Sequence, residues 1–143
     1  AAKGASLFAR AEGLWTGNDS VFMACTNGGV PRLGQIWRYV PSPYEGTPEE
    51  ATNPAVLELF IESEKGGVIQ NCDNLTIAPW GDLFVCEDSA TGDGLVRIEP
   101  NGNVKRFAFH RGTTTELAGA CVSPDGTTLF VNLQLVRVGL LLL

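Results

Sequence analysis

Positive charge is scarce in this chain, and histidine nearly so. Ten Lys and Arg face sixteen Asp and Glu, with one histidine, and the 143 residues carry a net charge of −6. Nucleic acid calls for clustered Lys and Arg, so that partner class is excluded. With His110 as the sole imidazole and no G-x-S-x-G sequence, Ser–His–Asp catalysis has little support. The four cysteines, Cys25, Cys72, Cys86 and Cys121, show no C-x-x-C spacing, which argues against a zinc knuckle or a thioredoxin motif. Cys25 and Cys86 lie in apolar runs (VFMAC, LFVC) and read as small buried hydrophobes, although in an oxidising compartment a disulfide stays open. No apolar run approaches the ~20 residues of a membrane span. The terminal LVRVGLLLL reads as a buried strand or an artificial end, and AAKGASLF lacks a signal-peptide pattern. No membrane partner is expected.

Glycine (17) and proline (8) are plentiful, which favours short strands and tight turns. Three segments share one plan: EGLWTGNDSVFMACTN from Glu12, DNLTIAPWGDLFVCED from Asp73 and AGACVSPDGTTLFVNLQ from Ala118. Each reads as a short apolar strand, a Gly, Asn or Asp turn, and a second apolar strand. GQIWRYVPS and GLVRIEPNG supply third strands, AVLELFIES and NVKRFAFHR fourth ones. The units recur after about 61 and about 45 residues, near the spacing of propeller blades. The expectation is an all-β chain, a β-propeller fragment of about two and a half four-stranded antiparallel blades. Residues 1–143 form one partial domain, with blades at 12–63 and 73–111 and a partial blade at 116–143. The Pro- and Glu-rich stretch 41–54 reads as an exposed insertion. A small antiparallel sandwich is the competing fold.

In a propeller the first strand of each blade lines the channel. Glu12, Asp73 and Glu116 stand at the mouths of three such strands, so radial repetition would bring their carboxylates together. Converging carboxylates raise one another's pKa unless a cation intervenes, and calcium suits oxygen donors. Asn74 is a neutral neighbour and a candidate substrate-binding residue with Arg10, and Asp88 is a further candidate metal ligand. Each acid alone also reads as an ordinary strand-end cap. Arg10 beside such a cluster suits an anion, phosphate or carboxylate. His110 reads as a surface residue, Asp125–Gly126 as a hairpin turn, and Trp15, Trp37 and Trp80 as packing between blades.

FARAEGLW, FMACTNGG, GQIWRYVP, NCDNLTIAPWGDLFVCED and ELAGACVSPDGTTLFVN together resemble the C-terminal part of the PhoX-type bacterial alkaline phosphatases, over residues 7–134. The resemblance implies a six-bladed propeller phosphomonoesterase, periplasmic or secreted, using calcium and iron. It implies that Arg10 contacts phosphate and Glu12 binds metal, with Asp73 and Glu116 at acidic positions of the pattern. None of the four cysteines takes the family's place as an iron ligand, and the tail from Leu135 to Leu143 departs from the family's ending. The N-terminal blades are absent, so weak or no phosphatase activity is expected of this chain alone. Open blade edges predict a homo-oligomer. Two rivals remain: a gluconolactonase-like calcium-dependent lactonase, and a non-catalytic binding or scaffold module.

Overall fold

The computed structural model describes residues 4–89, 93–111, 115–134 and 140–142. The strands assort into three antiparallel sheets. The first contains β1 (Ala11–Gly17), β2 (Ser20–Cys25), β3 (Gln35–Val40) and β4 (Val56–Glu62) in sequential order. The second contains β5 (Cys72–Ile77), β6 (Leu83–Glu87), β7 (Gly94–Ile98) and β8 (Val104–Phe109), again in order. The third joins β9 (Leu117–Val122) to β10 (Leu129–Leu133) and β11 (Leu140–Leu142). The sole helical feature among the described residues is a 3-10 turn at Pro48–Ala51. It lies within the expected insertion, whose neck closes where Ser42 Oγ donates to the Asn53 carbonyl at 2.6 Å. No helix among the described residues is long and apolar enough to cross a membrane.

The strand sequences explain the stacking. Phe22, Ala24 and Ile36 of the first sheet pack on Leu75, Leu83, Val85, Val96 and Ile98 of the second. The opposite face of the second sheet, with Phe84, Cys86 and Leu95, packs on Leu117, Ala120, Leu129 and Val131 of the third. Alternate residues of β6 therefore serve two different cores, and LFVCE is buried at every position. A strand covered on both faces needs an apolar run, which Leu83–Cys86 supplies, and the buried Glu87 that ends it is paired with Arg106. Cys25, Cys72 and Cys86 are buried free thiols and Cys121 is exposed, in line with the expectation for Cys25 and Cys86.

β1 also lies directly against β5, and the reason is Gly13. A Cβ there would collide with the Asp73 carbonyl and come within 3.0 Å of the Leu75 nitrogen. β5 is tied in turn to β9, where Gly119 N–H donates to Asn74 Oδ1 at 2.8 Å. The first strands of the three sheets thus run side by side, and their starts gather at one end of the molecule.

The tryptophans depart from expectation. Trp80 does bridge sheets: its ring meets Phe84 edge-on, with centroids 6.2 Å apart, and abuts Gly126. Trp37 instead lies on the outer face of the first sheet, edge-on to Phe8 at 5.7 Å. The register explains this, because Trp37 pairs with Met23 while the inward Ile36 pairs with Ala24. Trp15 is 43% exposed. His110 is half-buried, with a buried Nδ1 that has no partner among the described residues, which differs from a free surface residue. Asp125 organises the 123–128 hairpin as expected, its Oδ1 accepting from Ser123 Oγ at 2.6 Å and Thr127 N at 3.1 Å.

Candidate functional site

The site forms where the first strands begin. Pairing between β1 and β2 is interrupted between Ala11 and Leu14, and pairing between β5 and β6 between Cys72 and Leu75. Glu12–Gly13 and Asp73–Asn74 therefore occupy the same bulged position in two successive sheets. A bulge re-aims the side chains it carries, which is how two strands with ordinary alternation turn an acid towards a shared point. Glu116 sits immediately before β9, and Arg10 immediately before β1. Asp88 immediately follows β6, which brings it beside the start of β5, since Cys72 pairs with Glu87.

Glu12, Asp73 and Glu116, the three acids that the repeat aligns, are brought together, and Arg10 and Asp88 join them. Arg10 stands among them with its guanidinium shared: Nε lies 2.5 Å from Glu12 Oε1, and Nη2 donates to Asp88 Oδ2 at 2.9 Å. Those two acids raise the Arg10 pKa, the Asp88 hydrogen bond most of all. The acids outnumber the cation four to one, and two of them show it. Asp73 is pushed up to about 7, first by burial, then by its hydrogen bond to Glu12 and the charges of Glu12, Glu116 and Asp88. Glu116 is also raised, by burial and then by the charge and hydrogen bond of Asp88, against a smaller opposing pull from Arg10. Asp73 is 6% exposed, and its Oδ1 is buried without a hydrogen-bond partner among the described residues.

Asn74 points elsewhere. Its Oδ1 accepts from the Gly119 backbone and so links β5 to β9. Among the described residues, no group of three or more His, Cys, Asp or Glu is arranged to hold a metal ion. The contacts give a physical reason: Glu12 is turned onto Arg10 and Asp88 is shared with it, so neither faces a common centre while paired to the guanidinium.

Sequence reasoning missed two members of this neighbourhood. Asp93 is 3% exposed, accepts from Ser89 N–H at 2.8 Å and adds its charge to those raising Glu116. Asn71 lies between the Arg10 and Asp88 segments: its carbonyl accepts from Asp88 N–H, and its side-chain amide donates to the carbonyl of Thr26, whose own N–H donates to the Arg10 carbonyl. The available signal was topological. In an antiparallel meander the residues after a second strand come back beside the start of the first, which places Thr26, Asp88 and Asp93 at this end.

Comparison with known proteins bears on the same residues. The family model described as alkaline phosphatase PhoX matches residues 1–136. Among solved structures, Pseudomonas fluorescens PhoX in complex with vanadate, a transition state analogue, superposes with a TM-score of 0.70 at 20% identity. The match covers 92% of this chain and 30% of that one, so this chain spans under a third of that protein's length. At that identity the likeness speaks for the fold. No curated protein matches. With the family pattern running from residue 1 to residue 136, through Arg10, Glu12, Asp73, Asp88 and Glu116, this chain belongs to the PhoX alkaline phosphatase family.

Proposed function

We propose that this chain carries one wall of a metal-dependent phosphomonoesterase site on a β-propeller fragment, with blades at 12–63, 73–111 and 116–143. The single observation that carries the reading is the gathering of Glu12, Asp73, Asp88 and Glu116 around the shared guanidinium of Arg10. The propeller reading is supported by the three parallel first strands and by the two bulges at equivalent positions. Arg10 binds the phosphoryl oxygens of a phosphate monoester, its planar fork offering paired donors. Family membership makes this ligand class the natural one to test.

Whether the residues suit a metal can be judged from Asp73. A buried carboxylate oxygen without a donor, in a cluster with excess negative charge, suits a hard cation that takes oxygen ligands. Glu12, Asp73, Asp88 and Glu116 would hold calcium, and Asn74 is committed to Gly119. Calcium, when bound, supplies charge neutralisation for the incoming phosphate and lowers the pKa of a coordinated oxygen nucleophile. An iron ion with a cysteine ligand does not fit this part of the site. Cys72 Sγ is turned to the Gln35 carbonyl at 3.3 Å, Cys86 packs in the core against the third sheet and Cys25 is fully buried, so these thiols face the interior rather than the acids.

The chain's own contribution is therefore orientation and electrostatics. Arg10 offers donors to oxygens that gain negative charge during phosphoryl transfer, and Asp88 and Glu12 keep it charged and aimed. With so much of the solved relative's length unmatched, the chain alone is weakly active or inactive. It pairs with a second copy through its open sheets, in a periplasmic or secreted setting. One other reading, a non-catalytic propeller module that binds or scaffolds, is favoured by the engagement of Glu12 and Asp88 with Arg10.

Calcium titration followed by calorimetry and thermal melting tests the reading, with Glu12→Gln as control and p-nitrophenyl phosphate and gluconolactone as substrates. Calcium-dependent stabilisation that weakens in the control, with inorganic phosphate binding, supports the phosphatase-related site. No response at millimolar calcium leaves the scaffold module as the better account, and turnover of the lactone alone would sink the phosphatase reading.

A further inference from the structure

Arg10 is held at more than its guanidinium. It has a left-handed backbone at φ +55°, and its carbonyl accepts from Thr26 N–H at 3.0 Å. The Thr26 carbonyl accepts in turn from Asn71 Nδ2 at 3.2 Å. The Asn71 carbonyl accepts from Asp88 N–H at 2.9 Å, and Asp88 Oδ2 accepts from Arg10 Nη2 at 2.9 Å. Four residues from four separate segments thereby close a ring of hydrogen bonds. Thr26 is fully buried, so the ring is anchored to the interior.

We propose that Asn71 is a positioning residue for Arg10, joining the Arg10 backbone to the carboxylate that aims its guanidinium. The inference rests on the reading of Arg10 as the phosphate-binding group. Asn71 has two features that few residues combine. Its backbone is left-handed at φ +51°, a conformation that asparagine tolerates better than most side chains. That conformation turns its carbonyl to Asp88 while its amide reaches the loop after β2, so one residue sets both ends of the Arg10 clamp. Misplacing a binding group by about 1 Å is enough to cost a substantial factor in ligand recognition. A solvent-exposed arginine on a flexible stem needs such a frame, because each of its exposed ion pairs is weak by itself.

The test is the affinity of the chain for inorganic phosphate and, separately, for calcium, measured by calorimetry. Asn71→Gly keeps the left-handed backbone and the carbonyl but removes the amide. Asn71→Asp, also tolerant of that backbone, serves if the glycine variant melts early. The expected result is roughly tenfold weaker phosphate binding with calcium affinity changed by less than about twofold. Combined with Arg10→Lys, the Asn71 change adds no further loss, since both act through the same clamp. A structural role would instead lower both affinities or add its full penalty to that of Arg10→Lys. In the wild type the Arg10 Nη2 protons, which donate to Asp88, should exchange slowly with solvent, and in the variant that resonance should lose its protection. Phosphate binding undiminished in the variant, or an unchanged resonance, overturns this inference alone. A wild-type chain that binds no phosphate with calcium present overturns the phosphate reading and this inference with it.

Discussion

Replacing Asp73 with asparagine should make the metal-free chain more stable at neutral pH. In the folded chain the Asp73 carboxyl titrates at about 7, against an ordinary value of 3.8. Between those values the folded state keeps a proton that the unfolded state has released. Stability therefore falls as pH rises through that window, and the full penalty is present above it. For one proton the slope is about 1.4 kcal/mol per pH unit, or about 4 kcal/mol across the window. The mouth of the cluster is open to water, with the Arg10 side chain 46% and that of Glu12 30% exposed. Solvent screening of that kind brings the expected penalty to about 2 kcal/mol. In Asp73→Asn the amide still donates to Glu12, so the hydrogen bond survives and the charge does not. Thermal melts in chelator from about pH 4 to about pH 8 should show the wild type losing roughly 5–8 °C, and Asp73→Asn losing much less. Calcium should restore the wild type most at the alkaline end, where the carboxylate is ionised, and leave Asp73→Asn unmoved. A wild-type melting temperature that is flat over this range, or an identical slope in the variant, would refute the reasoning.

Other outcomes follow from particular contacts. Glu87 is 2% exposed in its side chain, lies 2.5 Å from Arg106 Nη1 and accepts from Gln70 N–H at 2.8 Å. Arg106→Met leaves that acid buried without its counter-charge and should cost about 2–3 kcal/mol in urea unfolding, below the usual figure because Arg106 itself is partly exposed. Gly13→Ala should separate β1 from β5, lowering stability by at least about 2 kcal/mol and weakening the calcium response together, as read by melting with and without calcium. Alkylation of the native chain by iodoacetamide at mildly alkaline pH should label Cys121 and spare Cys25, Cys72 and Cys86 until denaturant is added, as seen by peptide mass spectrometry.

The repeat was legible because strands and turns write themselves locally. Apolar residues in runs of four to six, set off by Gly17-Asn18-Asp19, Pro79-Trp80-Gly81-Asp82 and Pro124-Asp125-Gly126, specify where strands stop and reverse. The equivalence of Glu12, Asp73 and Glu116 was legible for the same reason, since a repeated unit repeats its strand starts. The aim of each side chain was not. Interrupted pairing at Glu12–Gly13 and Asp73–Asn74 is a matter of register between strands, and register depends on the partner strand as much as on the residue. Trp37 was misjudged on this account, because a single step of register decides which face of a strand meets the core.

By itself, then, the sequence determined an all-β chain of repeated meanders with acids at the starts of its first strands, because propensity and periodicity are local properties. Tertiary structure alone decided that Arg10 is shared between Glu12 and Asp88, that Asn74 serves Gly119, and that Asn71 closes a ring around Arg10. Each of those contacts joins residues far apart along the chain, except Arg10 with Glu12. Hydrogen bonds across such separations exist only after the sheets have stacked, when burial leaves each polar group few partners to choose from.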